Sequence, residues 1–126
     1  MPKIVIAEDD QLINASLVQG FAEAGFEVIP AADGELAVAK IKELKPDVVV
    51  LDIMMPKLDG IGVLWEMKAD PATEKIPAVM LTNLSDTETI SKIIEDGAAD
   101  YLLKSDQSID QVVQKVREVL DRQVKL

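Results

Sequence analysis

The run Val48-Val49-Val50-Leu51-Asp52-Ile53-Met54-Met55-Pro56 decides how the rest of the chain is read. Four aliphatic residues in a row, with no polar alternation, describe a strand covered on both faces, as in a parallel sheet sandwiched between helices. The run delivers one carboxylate, Asp52, to the strand's C-terminal end, which is where open parallel sheets bind ligands. Met54-Met55-Pro56 and then Leu58-Asp59-Gly60 break the strand and turn the backbone, a reading that leaves Asp52 exposed at the mouth of a crevice. A carboxylate at the end of a buried strand incurs desolvation unless it is used, so Asp52 is the candidate working residue.

The same unit repeats on either side. Ile4-Val5-Ile6-Ala7 forms a short apolar run stopped by Glu8-Asp9-Asp10. A helix follows, with Asp10 as N-cap, Ile13, Leu17, Gly20, Phe21 and Ala24 along one face, and Gly25 as its stop. Glu27-Val28-Ile29-Pro30 is a second strand whose proline points to a sheet edge. Asp33-Gly34 opens a helix ending near Leu44, before Pro46. Gly60 starts a third helix with Ile61, Leu64 and Met67 inward, Val63 beside them and Trp65 on the flank, ended by Asp70-Pro71.

Ile76-Pro77-Ala78-Val79-Met80-Leu81 reads as a fourth strand ending at Thr82. Ser85 and Glu88 suit a capping box for a fourth helix carrying Ile90, Ile93 and Ile94 and closed by Gly97. That helix contains few strong helix formers and depends on packing. Ala99-Asp100-Tyr101-Leu102-Leu103 is a fifth strand ending at Lys104. A last helix, over about residues 109–122, carries Ile109, Val112, Val113, Val116, Val119 and Leu120 on one stripe. Strict alternation predicts an α/β fold, a doubly wound (βα)5 parallel sheet with helices on both faces and right-handed crossovers.

Composition narrows the function. With 126 residues, the chain is expected to be a single domain, residues 1–126. The 13 basic against 23 acidic residues, a formal charge of -10, repel nucleic-acid phosphates and anionic lipid, so no direct nucleic-acid or membrane partner is expected. Without Cys, thiolate chemistry and thiolate-ligated metals are excluded; without His, any phosphohistidine belongs to another protein. No apolar run approaches the roughly 20 residues of a membrane span, and a soluble cytoplasmic protein is the expectation.

Four strands end in residues with chemistry: Glu8 and Asp9, Asp52, Thr82 and Lys104. In a doubly wound sheet those ends converge on one edge. Taken singly, each has an ordinary role as turn acid, surface lysine or turn threonine, and Asp10 is better explained as a helix cap. Their joint occurrence at successive strand ends changes the reading. Three crowded carboxylates raise one another's pKa unless a cation intervenes. A divalent ion together with Lys104 brings the formal charge to zero, and an all-oxygen donor set favours Mg2+, with Mn2+ as a substitute. Such a site can accept a phosphoryl group on Asp52, with Lys104 neutralising its oxygens and Thr82 hydrogen-bonding one of them.

The segment from Lys45 to Gly60, with Asp52 at its centre, strongly resembles the phosphoacceptor segment of response-regulator receiver domains in two-component signalling. Glu8-Asp9 resembles the family's acidic pair, Thr82 its switch hydroxyl, Tyr101 its switch aromatic and Lys104 its lysine; the likeness runs from Lys3 to about Leu120. The resemblance implies a flavodoxin-like strand order 2-1-3-4-5. It implies phosphotransfer to Asp52 from a sensor histidine kinase or phosphotransfer protein, with Mg2+ held by Glu8, Asp9, Asp52 and the backbone carbonyl of Met54. Thr82 would move toward the phosphoryl group and Tyr101 would turn inward, reshaping the surface of the fourth helix, fifth strand and fifth helix. The first helix would be the kinase docking surface.

Two positions depart from the family pattern. Proline often follows the lysine, whereas here Ser105 does; a non-proline cis bond costs about 2.5 to 4 kcal/mol, so a trans bond and a rearranged loop are expected. Asn83, where a smaller residue is common, is expected with Leu84 to screen the phosphoryl group and lengthen its lifetime. An aspartate-nucleophile phosphatase is the rival enzyme class, but it would place a second acid two residues beyond Asp52, where Met54 stands. A receiver-like module that binds partners without phosphorylation is the other alternative. A monomer or weak dimer is expected, and no residue indicates the dimer.

Overall fold

The computed structural model describes residues 1–83 and 87–124. Five strands, β1 (Lys3–Ala7), β2 (Glu27–Ala31), β3 (Val48–Asp52), β4 (Ala78–Thr82) and β5 (Asp100–Leu103), alternate with helices. These are α1 (Gln11–Glu23), α2 (Gly34–Leu44), α3 (Gly60–Ala69), α4 (Thr87–Glu95) and α5 (Ile109–Val124). All neighbouring strands pair in parallel, in the order β2-β1-β3-β4-β5, so the doubly wound (βα)5 sheet read from the sequence is the fold.

The strands' period of two divides one set of buried residues between two cores. Val5, Ala7, Val49, Leu51, Ala78 and Met80 point to the side covered by α2, α3 and α4. Ile4, Ile6, Val48, Val50, Val79 and Leu81 point to the side covered by α1 and α5. This is why the central strands read as unbroken apolar runs, and every residue of β3 is buried. Pro30 lies on β2, an edge strand as expected. The N–H of Glu27 faces β1, where it donates to the Pro2 carbonyl; by the same period Pro30 falls on the outward set, where no donor is missed.

Helix starts follow the aspartates. Asp10, Asp33 and Asp59 each accept hydrogen bonds from first-turn N–H groups of α1, α2 and α3. Asp10 thus caps α1, as read from the sequence. The Ser85–Glu88 capping box involves Ser85, which lies outside the described residues.

The structure refines the fourth helix and corrects the start of the fourth strand. Ile94 sits on the outer side of α4, 47% exposed, leaving Ile93 as that helix's buried residue. The fourth strand begins at Ala78, two residues later than the apolar run suggests, because residues 71–76 form turns around the buried Thr73, whose hydroxyl donates to the Met67 carbonyl at 2.9 Å. Trp65 is on the flank, 52% exposed, with the Lys92 ammonium 4.9 Å from its ring centroid. Among the described residues every peptide bond is trans, Lys104-Ser105 included, and a 3₁₀ turn at Lys104–Asp106 leads into α5.

Candidate functional site

Glu8 and Asp9 follow β1 directly, Asp52 ends β3, Thr82 ends β4 and Lys104 follows β5, so the parallel arrangement puts all five at one edge of the sheet. The geometry brings Glu8, Asp9 and Asp52 together: one carboxylate oxygen from each lies within 4.8 Å of the other two. Lys104 stands between the two buried acids. Its Nζ is 2.5 Å from Glu8 Oε1 and donates to Asp52 Oδ2 at 3.0 Å.

Asp52 is not exposed at a crevice mouth, contrary to the reading of its sequence. It is 3% exposed, because the Lys104 side chain folds over Oδ2 and the chain beyond β3 turns back, its Met54 N–H reaching Oδ1 at 3.4 Å. The acidic pair also splits. Glu8 is buried, with Oε2 accepting from the Asp10 N–H at 3.1 Å, whereas Asp9 is exposed. Thr82 is fully buried, and Asn83 beside it is exposed. Leu84 lies outside the described residues. Tyr101 is already half-buried, packed against the core on the α2–α3–α4 side. Met54 projects its side chain to solvent, 67% exposed.

Burial pushes the Glu8 carboxyl up to about 7 from an ordinary 4.5, with the adjacent Asp52 charge adding to the rise; Lys104 and the Asp10 N–H oppose it without prevailing. For Lys104, burial works to lower the pKa, but its hydrogen bonds to Glu8 and Asp52 outweigh that and raise it. Lys104 therefore stays charged while Glu8 holds its proton far more tightly than a solvated glutamate. A group whose folded pKa exceeds its unfolded value contributes stability that is complete below the unfolded value and lost as pH rises through the folded one. Metal-free protein should therefore lose about 3 kcal/mol between roughly pH 4.5 and 7 from Glu8. Urea unfolding with a chelator present, for wild type and Glu8→Gln, would check this; a slope unchanged by the substitution would reject the assignment.

The donor set suits a hard divalent cation. Glu8 Oε1 is buried and, apart from its ion pair with Lys104, receives no aligned hydrogen bond among the described residues. Three oxygen ligands from two strand ends, with neither nitrogen nor sulfur among them, match the preference of Mg2+. Sequence reading missed Asn14, whose side-chain Nδ2 donates to the Glu8 carbonyl at 2.9 Å. A polar residue in the second turn of a helix, one turn beyond the Asp10 cap, was the only available signal.

The chain as a whole is similar to known proteins. The chain is 40% identical over 120 residues to the probable transcriptional regulator ycf27 of Porphyridium aerugineum, covering 95% of this chain and 48% of that protein. It is 35% identical over 122 residues to the DNA-binding dual master transcriptional regulator RpaA of Synechocystis, covering 97% of this chain and 50% of that protein. The chain spans about half the length of these curated relatives. Among solved structures, the receiver domain of Francisella response regulator 1452 superposes with a TM-score of 0.89 at 34% identity, covering 97% of this chain and 98% of that chain. Chemotaxis protein CheY4 of Vibrio cholerae superposes with a TM-score of 0.88 at 26% identity, covering 94% and 98%. The family model described as the response regulator receiver domain matches residues 4–117, nearly the whole chain including every residue of the acidic edge, and the chain belongs to that family.

Proposed function

We propose that this receiver domain takes a phosphoryl group onto the Asp52 carboxylate from a phosphohistidine of a sensor kinase or phosphotransfer protein. The observation that carries the proposal is the Lys104 ammonium set between the buried Glu8 and Asp52 carboxylates, with Asp9 completing the acid cluster. An Asp52 oxygen attacks phosphorus, the P–N bond breaks, and its electron pair stays with the donor's imidazole nitrogen. Glu8, Asp9 and Asp52, with the Met54 carbonyl, would hold Mg2+. When bound, the ion would neutralise the acids and polarise the phosphoryl oxygens.

The chain's own residues do the rest. Lys104, tethered at two points, is placed to follow charge from the Asp52 carboxylate to the new phosphoryl oxygens. Burial of Asp52 excludes bulk water from the acyl phosphate. Thr82 would supply a hydroxyl to the phosphoryl group, and Tyr101 would follow it inward, altering the α4–β5–α5 surface; Asn83 and Leu84 would modulate the lifetime of the phosphoryl group. On the Lys104 side of the acidic edge, α1 and the start of α5 border a cavity of about 300 Å³ lined by Leu12, Ile13, Ser16, Lys104, Gln107 and Ile109. Leu12 is 82% exposed there, which suits docking of the donor protein. No helix among the described residues is long and apolar enough to cross a membrane. The repulsion of nucleic acid argued from charge concerns this segment, half the length of its DNA-binding relative.

Incubation with a small acyl-phosphate donor and Mg2+, followed by intact mass, tests the proposal. The expected result is one added phosphoryl group on wild type and none on Asp52→Ala. No adduct on wild type, or an equal adduct on the variant, would replace this reading with a binding module that works without phosphorylation.

A further inference from the structure

Asp9 and Glu8 reach the acid cluster by different means. The Glu8 carboxylate is held by Lys104 and by the Asp10 N–H. The Asp9 carboxylate is exposed and makes no hydrogen bond or ion pair with the described residues. It nevertheless lies within 4.8 Å of its two companions. With no described residue gripping the side chain, the held part of Asp9 is the backbone that carries it, including the peptide linking Glu8 to Asp9.

The oxygen of that peptide is the Glu8 carbonyl. It accepts from Asn14 Nδ2 at 2.9 Å, and the same amide nitrogen approaches the Ala31 carbonyl, on the adjacent strand, at 3.4 Å. Ala31 in turn accepts from the Glu8 N–H at 3.1 Å. Asn14 is itself well anchored. Its own N–H donates to the Asp10 carbonyl at 2.9 Å within α1, a helix capped by Asp10 and pinned to the core by the buried Leu17 and Phe21. The amide therefore transfers the rigidity of a packed helix to the peptide on the N-terminal side of Asp9, while the Asp10 N–H on its other side donates to Glu8 Oε2.

We propose that Asn14 is a positioning residue for the acid pair: its side-chain amide holds the Glu8–Asp9 peptide so that the Asp9 carboxylate stays beside Asp52 and the site is preorganised for a divalent cation. Groups that touch no metal but fix its ligands often change metal affinity about 10-fold or more. The competing view is that Asn14 only satisfies two strand-end carbonyls, in which case its loss would lower stability and leave cation affinity alone. The inference rests on the Mg2+ reading above, and the experiment separates the two.

Mg2+ is titrated calorimetrically into unphosphorylated wild type, Asn14→Leu and Asn14→Gln, with circular dichroism of each metal-free protein confirming the fold. Leucine keeps the branched shape of asparagine, though larger, and donates nothing; glutamine keeps the amide. The expected result is that Asn14→Leu binds Mg2+ about tenfold more weakly and that Asn14→Gln recovers most of the loss. Affinity of Asn14→Leu within about twofold of wild type would overturn the proposal while leaving the Mg2+ reading intact. Equal weakening in both variants would also overturn it, because donation would then not be the cause. Wild type that binds no Mg2+ would remove both.

Discussion

Replacing Lys104 with methionine should destabilise the metal-free domain by about 3 to 5 kcal/mol near pH 8 and by much less near pH 5. Lys104 is the cation that Glu8 and Asp52 share, at 2.5 and 3.0 Å. Both acids are almost fully buried, 1% and 3% exposed, so water cannot replace the lost ammonium. Methionine keeps most of the stem's volume, which confines the change to charge. The pH dependence follows from Glu8, which already binds its proton up to about 7 with Lys104 in place. Without Lys104 that affinity rises further, so at acidic pH a proton takes over the neutralisation and at alkaline pH nothing does. Urea unfolding at the two pH values checks this, and equal losses at both would show that Lys104 acts through packing instead.

Two glycine substitutions should damage the domain by a different route. A Cβ at Gly60 would lie 2.3 Å from the Asp52 carbonyl oxygen and 2.9 Å from Ile53 Cα; at Gly34 it would lie 1.7 Å from the Leu58 carbonyl oxygen. These neighbours are backbone and cannot rotate aside. Forced overpacking of this kind costs about 1 to 3 kcal/mol and sometimes more, so Gly34→Ala and Gly60→Ala should each lower the thermal midpoint by several degrees. They differ in function. Gly60→Ala pushes directly on the residue proposed to accept phosphate, so its phosphorylation rate should fall even where the variant remains folded. Gly34→Ala presses on the loop between β3 and α3, one step further away. Gly62→Ala is the control, since its nearest atom, Leu58 Cδ1 at 2.5 Å, ends a flexible side chain. If all three variants lose the same stability and rate, close backbone approach is not what selects glycine at positions 34 and 60.

Most of the fold was legible in local pattern. Val48-Val49-Val50-Leu51 reads as a strand covered on both sides, and Ile109, Val112, Val116 and Val119 read as one face of a helix, as the structure has them. The capping role of Asp10 was equally local, since it depends on N–H groups two and three residues away. The residues of the acidic edge were also visible, because a parallel sheet fixes which end of each strand they occupy.

What those residues experience was not visible in the chain order. Glu8 and Asp9 are neighbours of like charge, yet Glu8 is buried with a raised pKa and Asp9 is exposed. Burial sets that difference, and the ammonium that pairs with the buried Glu8 carboxylate and holds its pKa down, Lys104, is nearly a hundred positions away. The seclusion of Asp52 likewise depends on a lysine 52 residues on, and the aim of Asp9 on an asparagine in the next helix. Hydrophobic period and turn chemistry act over a few residues and therefore determine element type, face and strand end. Burial, charge pairing and the closeness of backbone to backbone are properties of where distant segments meet, and only the packed sheet and its helices decide them.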